Sequence, residues 1–374
     1  MKIRAAVLNA MGVPPPYSET KPISVETIDL DDPGPGELLV KMGAAGLCHS
    51  DLSIINGDRP RPMPMVIGHE AAGVVEKLGP GVEDLRTGDH VVLVFMPSCG
   101  RCMPCAEGRP ALCDPGLAAN TAGTLISGLR RLKRDGIYIN HQVGVSAFAE
   151  YAVVSRNSVV KVDAALPLDI AALFGCAVLT GMGAVVNSAG VTAGSTVAVV
   201  GLGGVGLSAL LGALAAGASR VVAVDLLDRK LALARQLGAS DAYSATKPNF
   251  VEEIRAATGG GLEYVVETAG AADAMATAYK ITRRGGTTVT IGLPPPDATL
   301  AVPLVNMVAE ERTVKGSYIG SCVPVRDLPR YISLYRQGRL PIDRLMTDRI
   351  KLDDINAGFE RLRCGEAVRQ VIVF

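Results

Sequence analysis

The sequence has no surplus charge of either sign. Its 37 Lys and Arg are matched by 37 Asp and Glu, and no long run of one sign occurs, so the basic stripe that nucleic acid requires is missing. An apolar leader is missing as well. The opening "MKIRAAVLNAMGVPPPY" is polar and broken by prolines where a signal peptide carries its apolar region. Nor is there a clean membrane-length run. The most apolar stretch, "VGLSALLGALAAGASRVVAVD", is interrupted by Gly217, Ser219 and Arg220 and sits inside a strand–turn–helix pattern. These absences lead to the expectation of a cytoplasmic protein with neither nucleic acid nor membrane as partner. Without a secretion signal, the 8 cysteines read as metal ligands or free thiols, and not as disulfides.

What is present points to two domains, since 374 residues exceed what one core usually supports. Four cysteines, Cys99, Cys102, Cys105 and Cys113, follow C-x2-C-x2-C-x7-C. Two-residue spacings let thiolates converge on one tetrahedral ion, and Gly100, Pro104 and Gly108 supply the turns. Four sulfurs leave no open coordination position, so the site is structural. An iron–sulfur cluster is the rival, but that motif continues C-x3-C-P, and here seven residues precede the fourth cysteine.

A second constellation lies in "STVAVVGLGGVGLSALLGALAAGASRVVAVDLLDRK". A buried strand, then G-x-G-x-x-G at Gly201, Gly203 and Gly206, then an apolar helix and a second strand ending at Asp225 form a dinucleotide-binding β-α-β unit. Gly201 makes the tight turn, Gly203 lets backbone approach a pyrophosphate, and Gly206 lets helix and strand pack. The helix N-terminus offers N–H groups to the phosphates. Asp225 would accept hydrogen bonds from ribose hydroxyls and repel a 2′-phosphate, which favours NAD over NADP. Arg229, close by, reads equally as a solvated helix start. Further strands within 262–270, 286–294 and 312–320 alternate with helices, which predicts an α/β doubly wound parallel sheet. The flanking sequence has many short strands between Gly/Pro turns and reads as mostly β.

The segment "GHEAAGVVEKLGPGVEDLRTGDHVV", the four-cysteine lobe and the glycine motif together resemble the zinc-dependent medium-chain alcohol dehydrogenases. The likeness runs in order along essentially the whole chain and includes the long 114–140 segment of the class I/III-like branch. It implies a GroES-like catalytic domain over 1–177 carrying the lobe at 95–115. A Rossmann NAD-binding domain follows over 178–321, with a return to the catalytic domain over 322–374. The resemblance places a catalytic zinc on Cys48, His69 and Cys176 and a structural zinc on Cys99, Cys102, Cys105 and Cys113. Spacing alone could not have assembled that first trio. Asp51 corresponds to the carboxylate that orients the ligating imidazole, and Glu70 to a further carboxylate behind the metal.

The implied reaction is hydride transfer between an alcohol carbon and nicotinamide C4. Ser50 corresponds to the hydroxyl that takes the alcohol proton, although Ser50 could also simply cap the helix beginning "SDLSIINGD". Ser53 stands where several branches carry a relaying histidine. His49 stands where some carry a pyrophosphate-binding arginine, which would make cofactor affinity weaken as pH rises through its titration. Arg369 matches a second pyrophosphate contact and Lys230 a ribose contact. Thr180, Gly204, Val205, Ile291 and Leu293 complete the implied cofactor site.

Phe95, Ala118, Gln142, Val143, Leu293 and Tyr318 fall on substrate-channel positions. Most are apolar, which suits an aliphatic or aromatic alcohol. Arg59 reads as a loop arginine, and Cys322 and Cys364 as packing residues. The alternatives are a glutathione-type, thiol-adduct formaldehyde dehydrogenase, a zinc-free quinone reductase and a non-catalytic zinc-stapled nucleotide-binding protein. The resemblance implies dimers or tetramers joined edge to edge through nucleotide-domain sheets, an edge that "DATLAVPLVNM" and "RTVKGSYIG" fit. The long 114–140 segment leans toward a homodimer, with a tetramer as the other option.

Overall fold

Strands dominate the first unit of the computed structural model, which describes residues 1–374. This unit comprises Met1–Cys176, Val323–Pro329 and Asp343–Phe374. Its central sheet runs Val159–Val162, His90–Leu93, Glu70–Leu78, Glu37–Gly46, Arg369–Val373 and Met346–Ile350, with Tyr151–Ser155 also paired to Glu37–Gly46. A closed five-stranded barrel of Lys2–Leu8, Ile23–Leu30, Leu132–Arg134, Ile137–His141 and Met65–Val66 completes it. The 114–140 segment thus builds barrel: after the helix Asp114–Ala122 it forms one whole strand and most of the next. Phe148 and Phe359 meet edge-on in the core, ring centroids 6.1 Å apart.

Pairing register decides where the chemistry falls. Gly46 sits opposite Glu70, and Val371 sits opposite Gly46. Cys48, His69 and Arg369 therefore leave neighbouring strand ends on one edge of one sheet. The helix Leu168–Leu173 then widens into a π-turn, Phe174–Val178, an irregularity that recurs at functional sites. A Cβ on Gly175 would lie 2.5 Å from the Leu93 carbonyl oxygen. Only glycine lets this turn come close enough to deliver Cys176 to the same strand end.

The second unit comprises Ala177–Cys322 and Arg330–Ile342. Its six strands are all parallel. They lie in the order Asp241–Ser244, Arg220–Asp225, Thr196–Val200, Leu262–Glu267, Thr282–Thr290 and Thr313–Gly316. Numbered by sequence this is 3-2-1-4-5-6, the Rossmann order. Val197 to Val200 and Val221 to Val224 are buried, as strands covered on both faces require.

Two expectations need adjustment. The return to the first unit is interrupted, because Arg330–Ile342 packs with the second. The last strand stops at Gly316 and gives way to a 3₁₀ turn at Ile319–Ser321. One helical run, Leu168–Ala189, is long and apolar enough to cross a membrane, but 89% of its 18-residue apolar window is buried inside the fold.

Candidate active site

Three donor atoms, from Cys48, His69 and Cys176, lie within 4.8 Å of one another and all three residues are buried. The two sulfurs are 3.9 Å apart. Zn–S bonds of about 2.3 Å at a tetrahedral angle require sulfurs about 3.8 Å apart. His69 Nε2 is buried with no hydrogen-bond partner. An unpaired buried nitrogen facing two thiols is costly unless a cation completes it, so these residues fit zinc.

Without a cation the three groups share their protons unequally. The hydrogen bond with Cys176 holds the Cys48 thiol well below its ordinary pKa, helped by Arg369 and His69 against the opposing effect of burial. The same contact, with burial, pushes the Cys176 thiol up. Burial works against a charged His69, yet Asp51 and Cys48 outweigh it and raise its pKa.

Around the trio each neighbour has a definite task. Asp51 Oδ1 is 2.7 Å from His69 Nδ1, and Asp51 Oδ2 accepts the Cys48 backbone N–H at 3.2 Å. Arg369 donates to the Leu47 carbonyl at 3.0 Å and lies 3.7 Å from Glu70. Burial opposes the Arg369 charge, but Glu70, Cys48 and Cys176 raise its pKa. Phe95 stands edge-on to the His69 ring at 5.0 Å.

The helix His49–Ile55 begins from Cys48 as N-cap, with Asp51 closing the box. Ser50 is therefore not the cap; its Oγ lies 3.7 Å from Cys48 Sγ, at the trio. Ser53 is different: its hydroxyl donates to the His49 carbonyl one turn back at 3.0 Å, which commits the proton that a relay would have to pass. Ser50→Ala is accordingly expected to cut turnover by 10²-fold or more, about the worth of a positioned proton acceptor. Ser53→Ala should cost less than about threefold on the same reasoning. Steady-state rates of the two variants check this, and equal losses would return Ser53 to the relay.

Gln142, one of the expected substrate-channel positions, lies beside Asp51. It is 2% exposed and both of its amide atoms are engaged, with Gly68 and with Asp51. Of the other channel positions in this unit, Ala118 is exposed and Val143 half-buried. In the second unit Leu293 is exposed and Tyr318 half-buried.

The four-cysteine lobe converges too, with all four sulfurs within 4.8 Å of one another and Cys102 Sγ 3.8 Å from Cys113 Sγ. Backbone N–H groups of Cys99 and Gly116 point at Cys113 Sγ, and those of Arg101 and Cys102 at Cys99 Sγ. The latter two pull Cys99 down to about 6. Such amides favour thiolates, the form a metal takes.

In the second unit Gly201 has φ +91°, and a Cβ on Gly206 would lie 1.9 Å from the Gly201 carbonyl oxygen. A Cβ on Gly203 would meet nothing within 4 Å, so the space a pyrophosphate needs lies over it. The helix Gly204–Ala215 starts there. Asp225 Oδ2 accepts the Leu202 N–H at 2.6 Å, and Lys230 Nζ lies 3.9 Å away. Thr180 and Ile291 are buried.

Sequence reasoning missed Glu267, a buried acid at a strand end. It accepts from Gly270 N–H at 2.7 Å and from Thr290 Oγ1 at 2.7 Å. Burial raises its pKa against these bonds. It ties the loop at Gly270 to the end of the strand Thr282–Thr290, at the carboxyl ends of the parallel strands, where such sheets bind ligands. The only available signal was an acid following four apolar-face residues in "LEYVVE".

Fold and donor sets together define a zinc-binding, nucleotide-dependent oxidoreductase. The alcohol dehydrogenase GroES-like domain model matches residues 34–164, and the zinc-binding dehydrogenase model matches 204–337. The NDMA-dependent alcohol dehydrogenase of Amycolatopsis methanolica is 40% identical over 100% of this chain and 99% of its own length. The structure of an alcohol dehydrogenase zinc-binding domain protein from Burkholderia ambifaria superposes with TM-score 0.94 at 35% identity, covering 100% and 99% of the two chains. Benzyl alcohol dehydrogenase from Acinetobacter calcoaceticus gives 0.93 at 32%, covering 100% and 99%. The chain belongs to the zinc-dependent medium-chain alcohol dehydrogenase family, whose cofactors are zinc and a nicotinamide nucleotide.

Proposed function

We propose that the protein moves a hydride between a primary, benzylic or secondary alcohol, or the matching aldehyde or ketone, and NAD. One catalytic and one structural zinc per chain would serve it. The observation that carries this reading is the buried Cys48, His69 and Cys176 trio with its unpartnered imidazole nitrogen. Zinc held by these three would supply Lewis-acid polarisation of a substrate oxygen at a remaining coordination position. The chain supplies the rest. Asp51 fixes the ring of His69, Ser50 takes the alcohol proton, and Phe95 shields the ring edge from water. In the nucleotide unit the backbone at Gly203 and Gly204 would receive phosphates, and Asp225 with Lys230 the ribose.

Asp225 supports NAD over NADP, because a second carboxylate-facing phosphate charge would be repelled. The benzyl alcohol dehydrogenase likeness supports aromatic alcohols within the panel. Absorbance of NADH should grow with such alcohols and NAD, with kcat/KM for NADP lower by about 10-fold or more, the cost of roughly one unfavourable charge pair. Equal use of NADP would overturn the cofactor assignment. Dependence of formaldehyde oxidation on added thiol would favour the adduct reading.

The Amycolatopsis methanolica relative favours a second reading, in which NDMA and not free NAD is the acceptor in turnover. Oxidation that proceeds with NDMA and fails with NAD alone would select it.

The helix Leu304–Ala309 exposes Leu304, Val305 and Val308 at 75%, 72% and 79% next in sequence to the open edge strand Thr313–Gly316. An apolar helix and an unpaired edge support a second copy of the chain as partner. A one-chain mass in sedimentation would exclude the homodimer.

A further inference from the structure

We infer that Gln142 is a positioning residue for the catalytic metal, acting through Asp51, and not a substrate-channel residue. This rests on the metal reading of Cys48, His69 and Cys176.

The inference follows from the polarity of one chain of hydrogen bonds. The backbone N–H of Gly68 can only donate, and it donates to the Gln142 side-chain oxygen. That fixes which way the amide faces, so its NH₂ is turned to Asp51 Oδ1 at 2.7 Å and can only donate there. Asp51 Oδ1 is thereby obliged to accept. Its other oxygen accepts the Cys48 N–H, so a donor of the protein addresses each oxygen of the carboxylate. A carboxylate addressed by donors on both oxygens favours a hydrogen on His69 Nδ1 across the remaining 2.7 Å bond. Nε2, buried and without a partner, keeps its lone pair for the metal. A main-chain amide, which cannot reverse, thus favours one tautomer of a ligand three hydrogen bonds away.

The surrounding loop is built to hold this amide inward. Val143 and Ser146 have φ of +43° and +53°, a region that a β-branched residue such as valine seldom enters and that clusters at functional sites. The Gln142 N–H donates to Ser146 Oγ at 2.9 Å, and that hydroxyl donates to the Val66 carbonyl at 2.8 Å. Gly68, just before His69, has φ +104° and packs against Phe148. The donor and the acceptor ends of the chain are therefore both anchored to strands that bear the site.

The test is release of zinc from purified, zinc-loaded enzyme into an excess of a coloured chelator, with total metal counted beforehand. In Gln142→Met the trio's zinc should leave about 10- to 100-fold faster than in wild type, as for other groups that orient a metal ligand. The lobe's zinc should leave at an unchanged rate. Gln142→Glu keeps the side-chain volume and removes the fixed donor, and should show the same acceleration. In an Asp51→Asn background Gln142→Met should add less than about twofold, since both changes interrupt one chain. An unchanged release rate in folded Gln142→Met, or an effect confined to the KM for alcohol, would overturn the inference. Wild-type enzyme holding only the lobe's zinc would instead overturn the metal reading itself, and this inference with it.

Discussion

His69→Ala should lower alcohol turnover by about 10³-fold or more, equivalent to about 4 kcal/mol or more of transition-state stabilisation. The imidazole is the one nitrogen donor in the trio, and its Nε2 has no other occupation. Two thiolates alone offer a cation an incomplete set of ligands. The loss is specific because the fold around it should persist. Asp51 would still accept from Gln142 and from the Cys48 N–H, so the variant does not strand a buried carboxylate without donors. The checks are the initial rate of NADH formation with a responsive alcohol and the zinc content per chain, expected to fall from two to one. An enzyme that kept two zinc ions and a rate within tenfold of wild type would sink the assignment of His69.

Much of this was readable in the chain before any coordinates. The glycine motif was legible because its context, an apolar strand before and an acid after, repeats a geometry that backbone sterics enforce. Gly201 and Gly206 accordingly sit where only glycine fits. The lobe was legible because its ligands are neighbours in sequence. The trio was visible only through resemblance. Cys48, His69 and Cys176 meet because Gly46 pairs with Glu70 and a π-turn passes close over Leu93, and long-range register leaves no local mark in sequence. Gln142 and Glu267 were harder still. Each is a single polar residue whose task is a bond to a distant partner, and a pattern of side-chain types holds no trace of that. Ser50 shows where local rules are ambiguous. Local capping rules suited it, but the cap fell to Cys48 because the strand Glu37–Gly46 ends just before the cysteine.

The lobe should show its importance in stability and not in rate. Its helical pieces are Met103–Ala106 and Pro110–Leu112, far too short to hold themselves in water, and Met103 and Leu112 are exposed. Little apolar burial is available there, so an ion held by the four sulfurs would do the holding. Cys113 is the pivot: it is buried, receives the N–H groups of Cys99 and Gly116, and opens the helix Asp114–Ala122. Structural zinc contributes about 10–16 kcal/mol in small peptides; losing one ligand of four should remove several of these. For a unit of about 200 residues, at about 2–4 °C per kcal/mol, Cys113→Ser should lower Tm by about 10 °C. At 20 °C the surviving folded enzyme should keep kcat within about threefold, because a closed four-sulfur site has no position from which to do chemistry. A scanning thermal melt alongside a low-temperature rate distinguishes the outcomes. An unchanged Tm with a collapsed kcat would mean that these cysteines serve the reaction and not the scaffold.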